Sequence, residues 1–181
     1  MMNRKYDVMT AGHLCLDIIP RFLDTGATRI DEIMRPGKLV QVEKAAISTG
    51  GPVSNTGIAL KKLGMKVCFS ALIGGDAFGK MTIDMLKENG NAEGVHRVSG
   101  SASSYTVALA PPNIDRIFLH NLGPNNEYCA DDLDAELISK CRLFHFGYPP
   151  LMRRMFQDNG MELKRVFQIA KDAGATTSCD M

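Results

Sequence analysis

A glycine pair placed directly ahead of a helix is the feature that most constrains how this chain can fold. Gly50 and Gly51 precede a run over 54–63 with helix-type spacing, and the run stops at Gly64, a residue suited to a left-handed helix cap. Glycines let the backbone approach a ligand closely, and the first turn of a helix presents unpaired N–H groups. The pattern indicates either a ligand-binding turn or a tight turn in which Ser54 caps the helix.

The segments around this turn alternate between strands and helices. After the first helix the sequence predicts a buried strand and then a second helix whose apolar residues recur on one face. The predicted strands cover 8–12, 66–73, 143–146 and 175–181, and the predicted helices cover 54–63, 78–90 and the stretch around 163–170 that ends at Gly174. This rhythm predicts an α/β fold built around a parallel sheet.

Two segments interrupt the alternation. In the first, over 21–47, residues 21–37 are rich in Gly, Asp, Thr and Arg and lead into an extended stretch over 38–47. Residues 104–110 and 114–120 are two β-type runs separated by Pro-Pro-Asn, which favours a hairpin over a crossover connection. We therefore expect both segments to lie outside the parallel sheet.

The composition excludes several classes of protein. The chain has 181 residues, of which 21 are Lys or Arg and 20 are Asp or Glu, so its formal charge of +1 gives no field that would attract nucleic acid or an anionic membrane. The sequence contains no run of 18 consecutive apolar residues, so it predicts no membrane-spanning helix. The five cysteines and four histidines are scattered without metal-ligand spacing, so we expect reduced thiols, no metal site and a cytoplasmic location.

Asp17 is the acidic residue best placed for ligand binding. It follows the predicted first strand and is flanked by Leu16, Ile18 and Ile19. A carboxylate in a loop at a strand end can accept hydrogen bonds from two adjacent hydroxyl groups. The same residue type also forms ordinary turns, and the spacing leaves both interpretations open.

Taken together, residues 49–64 and 73–79 resemble the N-terminal signature of the PfkB family, the ribokinase-like carbohydrate kinases. The similarity includes the glycine pair, Asn55, the glycine that ends the helix and the glycines after the following strand. The resemblance implies a Rossmann-like ribokinase fold, with a parallel-sheet core and a small β lid formed by the segments near 21–47 and 104–120.

The resemblance also implies a reaction and a set of site residues. Family members transfer a phosphoryl group from ATP, with Mg²⁺, to a hydroxymethyl group of a sugar or nucleoside, and they often pair through their lids. The residues that match acceptor-binding positions, from the clearest match to the weakest, are Asp17, Gly50, Gly51, Asn55, Asn126 and Arg116.

The chain departs from the family pattern in its later motifs. The second signature, which carries the catalytic base and the anion hole, is not in the sequence, and the family's later Asn-x-x-Glu motif, associated with magnesium and phosphate, is not identified in this chain. Gly74-Gly75-Asp76 is interpreted as a turn and helix cap, not as that signature. We therefore expect residues 1–181 to form the N-terminal part of a ribokinase-like domain, without the C-terminal ATP-binding half, without a catalytic or metal-binding residue, and inactive alone.

Two alternatives remain for the function. A non-catalytic sugar-binding module would use the same glycine pair and Asp17, and a nucleoside kinase of the same fold would differ only in its acceptor. A Rossmann-type nucleotide-binding protein fits less well, because residues 12–17 lack the glycine fingerprint that its first turn requires.

Overall fold

The computed structural model describes residues 4–181. In chain order its strands and α-helices are β1 Tyr6–Gly12, β2 Cys15–Phe22, α1 Ile30–Ile33, β3 Val42–Gly50, α2 Gly51–Lys62, β4 Val67–Gly74, α3 Ala77–Lys87, β5 Asn91–Val98, β6 Tyr105–Leu109, β7 Ile117–Asn121, α4 Ala135–Ser139, β8 Cys141–Gly147, α5 Arg153–Phe156, α6 Met161–Asp172 and β9 Thr176–Cys179. Short 3₁₀ turns, including Gly123–Asn126 and Pro149–Leu151, connect some of them.

The core is a five-stranded parallel sheet in the order β5-β4-β1-β8-β9. Every residue of β4 is buried, as expected for a strand covered on both faces. Val53, Phe69 and Leu86 belong to one apolar cluster, which joins α2 and α3 to one face of the sheet. Phe144 and Val166 belong to a second cluster on the other face, with α4, α5 and α6. The α/β fold predicted from the sequence is confirmed.

A second, smaller sheet has the order β3-β2-β6-β7. Its central strands β2 and β6 are parallel, and each pairs antiparallel with an outer strand. Only His13 and Leu14 separate β1 from β2, and β3 runs directly into α2. Both junctions lie at the carboxyl ends of the core strands, so the small sheet is anchored where α/β folds open their ligand crevice.

Several predicted boundaries are wrong. Asp17 lies inside strand β2 and not in a loop, because β2 pairs with both β3 and β6. The first pair of small-sheet strands spans 15–22 and 42–50 and so extends beyond the segment near 21–47 at both ends. Helix α2 begins at Gly51, and the Ser54 hydroxyl donates to the Gly50 carbonyl oxygen at 2.9 Å instead of capping the helix.

Other predictions are confirmed. The β6–β7 hairpin forms, and Asp76 caps α3 by accepting a hydrogen bond from the Gly79 N–H at 2.9 Å. Four of the five cysteines are buried, and all five are free thiols. Across residues 4–181, no helix has both the length and the apolar character needed to cross a bilayer.

Candidate functional site

The carboxylate of Asp17 lies directly against Gly50. The two residues sit on neighbouring strands β2 and β3, and a methyl group added at Gly50 would overlap both carboxylate oxygens. Gly50 has an extended backbone, so its lack of a side chain matters here for space and not for conformation. The glycine therefore leaves room for the Asp17 carboxylate at the N-terminus of α2.

Gly51 serves a different purpose in the same turn. Its φ of +82° is strained for any residue with a side chain. A Cβ there would lie 2.6 Å from the His13 carbonyl oxygen and 2.8 Å from His13 Nδ1. The β3–α2 turn thus packs against the β1–β2 turn, and Gly51 permits that contact.

His13 connects the core sheet to the small sheet. Its Nε2 lies 3.2 Å from Nε2 of His120 on β7, and His120 Nδ1 lies 2.9 Å from the Thr106 hydroxyl on β6. Burial, and secondarily the neighbouring His120, lower the pKa of His13 to about 4, and burial also lowers the pKa of His120. Both imidazoles are therefore neutral at neutral pH.

The hydrogen bonds of this cluster can be followed outward from Asp17. Burial raises the pKa of Cys15 to about 12, so the Cys15 thiol is protonated and donates to Asp17 Oδ1 at 3.4 Å. The Thr106 hydroxyl donates to Cys15 Sγ at 3.6 Å, which leaves its oxygen to accept from His120 Nδ1–H. His120 Nε2 then accepts from His13 Nε2–H, and His13 Nδ1 remains an acceptor. His13 is only 3% exposed, and that Nδ1 has no partner among residues 4–181.

An open cleft of about 490 Å³ adjoins His120. Its lining includes Asn126, whose Oδ1 accepts from the Arg153 N–H at 3.1 Å. The neighbouring Asn125 is fully buried instead: it accepts from the Leu14 N–H at 3.2 Å and donates to the Leu14 carbonyl at 2.9 Å. Asn125 thus fixes the turn between β1 and β2.

The remaining predicted site residues lie at different distances from Asp17. Asn55 is exposed on α2, four residues after Gly51 and therefore on the same face of the helix. Arg116 precedes β7, and its guanidinium lies 5.6 Å from the centre of the Phe118 ring. Because His120 aligns with Thr106 and Asp17 across the sheet, Arg116 is roughly 13 Å farther along the strand direction. The structure brings Asp17, Gly50 and Gly51 together and leaves Arg116 apart.

Sequence reasoning missed His13, His120, Asn125 and Tyr148. Tyr148 follows β8 directly, its N–H donates to Asp180 Oδ1 at 3.0 Å, and its ring centre lies 6.2 Å from that of His13. The position of His13 and Tyr148 immediately after core strands was a usable signal. The pairing of His13 with His120 was not, because the two are 107 positions apart.

The part of the chain that the structure describes does not fit a magnesium ion. It contains no group of three or more His, Cys, Asp or Glu side chains arranged to hold a metal. What its candidate site offers is a carboxylate, backbone groups at a helix N-terminus and a buried imidazole, which suit a neutral ligand rich in hydroxyl groups.

Comparison with known proteins finds relatives that are similar to this chain in sequence or in fold. A fructokinase-1 of Zea mays is 26% identical over 176 residues, which cover 96% of this chain and 50% of that protein. The structure of Halothermothrix orenii fructokinase superposes with a TM-score of 0.71 at 19% identity, covering 96% of this chain and 56% of the other. The structure of Arabidopsis thaliana ribokinase complexed with ribose and ATP gives a TM-score of 0.72 at 17% identity, with 97% and 53% covered.

The coverage of these matches shows which part of the related proteins this chain corresponds to in length. The chain spans about half the length of the curated relatives it matches, and the solved structures agree with it in fold. The model of the pfkB family of carbohydrate kinases matches residues 9–178, nearly the whole chain. The turn around Asp17, Gly50 and Gly51 lies within that match, and the chain belongs to the pfkB family of carbohydrate kinases.

Proposed function

We propose that this chain forms the acceptor-binding part of an ATP-dependent sugar kinase whose acceptor is a ketohexose such as fructose. The observation that carries the proposal is the Asp17 carboxylate set against Gly50 at the carboxyl edge of the core sheet. The fructokinase relatives supply the choice of sugar. Asp17 would accept hydrogen bonds from two adjacent hydroxyl groups, while Gly50 and Gly51 keep the approach free of side chains.

The other predicted residues extend this site outward. Asn55, on the face of α2 that it shares with Gly51, would reach a hydroxyl near the helix N-terminus. Asn126 would contribute from the cleft beside His120, with its Oδ1 already engaged by the backbone of the following segment. Arg116 would contact only an acceptor that extends away from Asp17, such as a sugar acid whose carboxylate points along β7.

We propose a division of labour within the kinase. Residues 1–181 would be the N-terminal part of a ribokinase-like domain, with the small sheet as a lid over the acceptor. Residues 4–181 hold no cluster fit for Mg²⁺, so ATP and Mg²⁺ would be bound by a part of the kinase other than these residues. What this chain does is bind and orient the acceptor, which accounts for a large share of the rate in phosphoryl transfer.

Titration calorimetry tests the acceptor site directly. Fructose is titrated into the wild type, Asp17→Ala and Asp115→Ala, the last being an exposed aspartate in the β6–β7 connection. Hydrogen bonds to a charged group contribute about 1.5–3 kcal/mol each, so Asp17→Ala should weaken binding by at least about tenfold to a hundredfold. Asp115→Ala should bind as the wild type does.

Parallel titrations with ribose and adenosine identify the acceptor class. Adenosine binding without fructose binding would replace the sugar with a nucleoside. If Asp17→Ala and Asp115→Ala bind fructose equally well, the Asp17 site is wrong.

We also propose a cytoplasmic location and pairing through the small sheet. The free, mostly buried thiols suit a reducing compartment. Phe118 and Leu119 on the outer strand β7 are more than half exposed, so a second copy would remove apolar surface from water by covering that strand.

A further inference from the structure

Tyr148 has a backbone conformation that its residue type disfavours. Its φ of 60° and ψ of 47° lie in the left-handed region, and it precedes Pro149, which disfavours helical angles in the residue before it. A glycine would adopt this conformation without strain. A tyrosine at this position therefore suggests that its side chain has a function that offsets the strain of the backbone.

That contribution does not come from the protein core. Tyr148 is 40% exposed, and its hydroxyl makes no hydrogen bond within residues 4–181. Its ring lies beside that of His13, with 6.2 Å between the ring centres and 45° between the ring planes. A partly exposed ring at the carboxyl edge of a parallel sheet, with its polar end free, is placed to contact a ligand.

Asp180 holds this conformation from the neighbouring strand. Its Oδ1 accepts the Tyr148 N–H at 3.0 Å, and its own N–H donates to the Phe146 carbonyl at 3.1 Å, which continues the β8–β9 pairing. Its Oδ2 lies 3.7 Å from His145 Nε2. The backbone of Asp180 is thus held by strand β8 while its carboxylate binds the backbone of Tyr148.

His13 relates the ring to the acceptor turn. Tyr148 borders one side of the imidazole, and the unpartnered Nδ1 faces Gly51. A sugar held by Asp17 presents hydroxyl groups on its edge and C–H groups on its face. The edge would bind to the carboxylate, and the face needs an apolar surface.

We propose that Tyr148 is a specificity-determining residue whose ring forms one wall of the acceptor site by packing on the C–H face of the sugar, and that Asp180 is the positioning residue that holds it there. This inference rests on the proposed acceptor site at Asp17. It assigns the ring, not the hydroxyl, as the binding group.

The test compares Tyr148→Gly, Tyr148→Phe and Asp180→Ala with the wild type by fructose calorimetry and by thermal unfolding. Tyr148→Gly removes the ring and relieves the backbone, so we expect affinity to fall about tenfold while the unfolding midpoint stays the same or rises. Tyr148→Phe should bind as the wild type does. Asp180→Ala should weaken binding and abolish the nuclear Overhauser contact between the rings of Tyr148 and His13 in the ligand-free protein.

The outcomes separate this inference from the proposed function. A wild-type chain that binds no sugar contradicts the proposed function and the wall with it. If the wild type binds fructose and Tyr148→Gly binds it equally well, the proposed role of the Tyr148 ring is contradicted and the proposed function is not. The same holds if Tyr148→Gly loses affinity but also has a lower unfolding midpoint. An Overhauser contact that survives in Asp180→Ala contradicts the positioning role of Asp180.

Discussion

His13 and His120 face each other across the junction of the two sheets, with 3.2 Å between their Nε2 atoms. His13 is the first residue of the turn after the central core strand, whereas His120 belongs to the outer strand of the small sheet. Because His120 Nε2 accepts from His13 Nε2–H, protonation of His120 would set two donors against each other, whereas protonation of His13 would place a charge on a buried ring whose Nδ1 has no partner among residues 4–181. Folding therefore favours the neutral form of both rings.

Stability should fall as the pH falls from about 6.5 towards 4. The pKa of His13 is lowered to about 4 by burial and by His120, whereas an unfolded histidine has a pKa near 6.5. The unfolded chain therefore binds more protons in this window, and between pH 7 and pH 5 the free energy of unfolding should drop by about 2 kcal/mol.

Urea unfolding of the wild type and of His13→Gln at both pH values measures this effect. The glutamine keeps a donor for His120 but does not titrate, so its drop should be smaller by most of that amount. The groups around the pair, Asp17, Cys15 and Tyr148, are unchanged in the variant. Equal drops in both proteins would rule out His13 as the source.

Gly50→Ala should impair acceptor binding with little loss of stability. The added methyl group meets only the end of the Asp17 side chain, which can rotate away, and the backbone of Gly50 accommodates alanine. Displacing the carboxylate should weaken fructose binding about tenfold or more. Gly75→Ala is the matched control, since a Cβ there would lie 3.8 Å from its nearest neighbour. Calorimetry and thermal unfolding of both variants give the answer, and wild-type affinity in Gly50→Ala would argue against a role for Asp17.

Asp76→Ala should destabilise the fold by about 2 kcal/mol. The Asp76 carboxylate caps α3 through the Gly79 N–H and also accepts from the N–H and the hydroxyl of Ser103, so it joins the helix to the segment before β6. Asp84→Ala, which removes only an exposed pair with Lys80, should cost much less. Chemical denaturation measures both, and similar losses would mean that the Ser103 contacts contribute nothing.

The 181-residue chain should not transfer phosphoryl groups alone. The part of it seen in the structure has no metal-binding cluster, and the motifs expected to carry the base and the anion hole are not in the sequence. ADP release coupled to a reporter, with fructose, ribose, a sugar acid and adenosine as acceptors, should stay at background. Turnover that co-purifies with the chain and disappears in Asp17→Ala would overturn this expectation.

Phe118→Asp should reduce self-association if the small sheet pairs with a second copy. Phe118 and Phe156 are equally exposed, at 56%, but Phe156 lies on α5, away from the small sheet. Sedimentation velocity should therefore show a shift toward monomer for Phe118→Asp and none for Phe156→Asp. A wild-type chain that is monomeric at high concentration would exclude this pairing.

The sequence was most informative where structure depends on neighbours in the chain. The helix that Asp76 caps, the β6–β7 hairpin and the strands of the core all follow from local patterns. Strand β5 was missed because Asn91, Glu93 and Gly94 have low strand propensity, and its pairing with β4 overrides that preference. Strand β2 was missed for a similar reason, since its partners lie far away in the sequence.

The candidate site shows the same limit. Asp17 and the glycine pair were identified from the turn and from the family resemblance, and the structure places them in contact. The sequence does not distinguish Asn125 from Asn126, because only the fold shows which side chain points toward Leu14. The left-handed backbone of Tyr148 is also not predictable from the sequence, because it depends on the carboxylate of Asp180, the residue after strand β9.

The central position of β1 has a consequence for the order in which the chain is made. One edge of β1 pairs with β4, but the other edge pairs with β8, which is synthesised much later. At about 5–20 residues per second, the ribosome takes several seconds to pass from Gly74 to Cys141. During that interval one edge of β1, a strand with apolar side chains, has unpaired backbone N–H and C=O groups, and such an edge favours aggregation. Chaperone binding during synthesis would therefore matter most in the window that closes when β8 emerges.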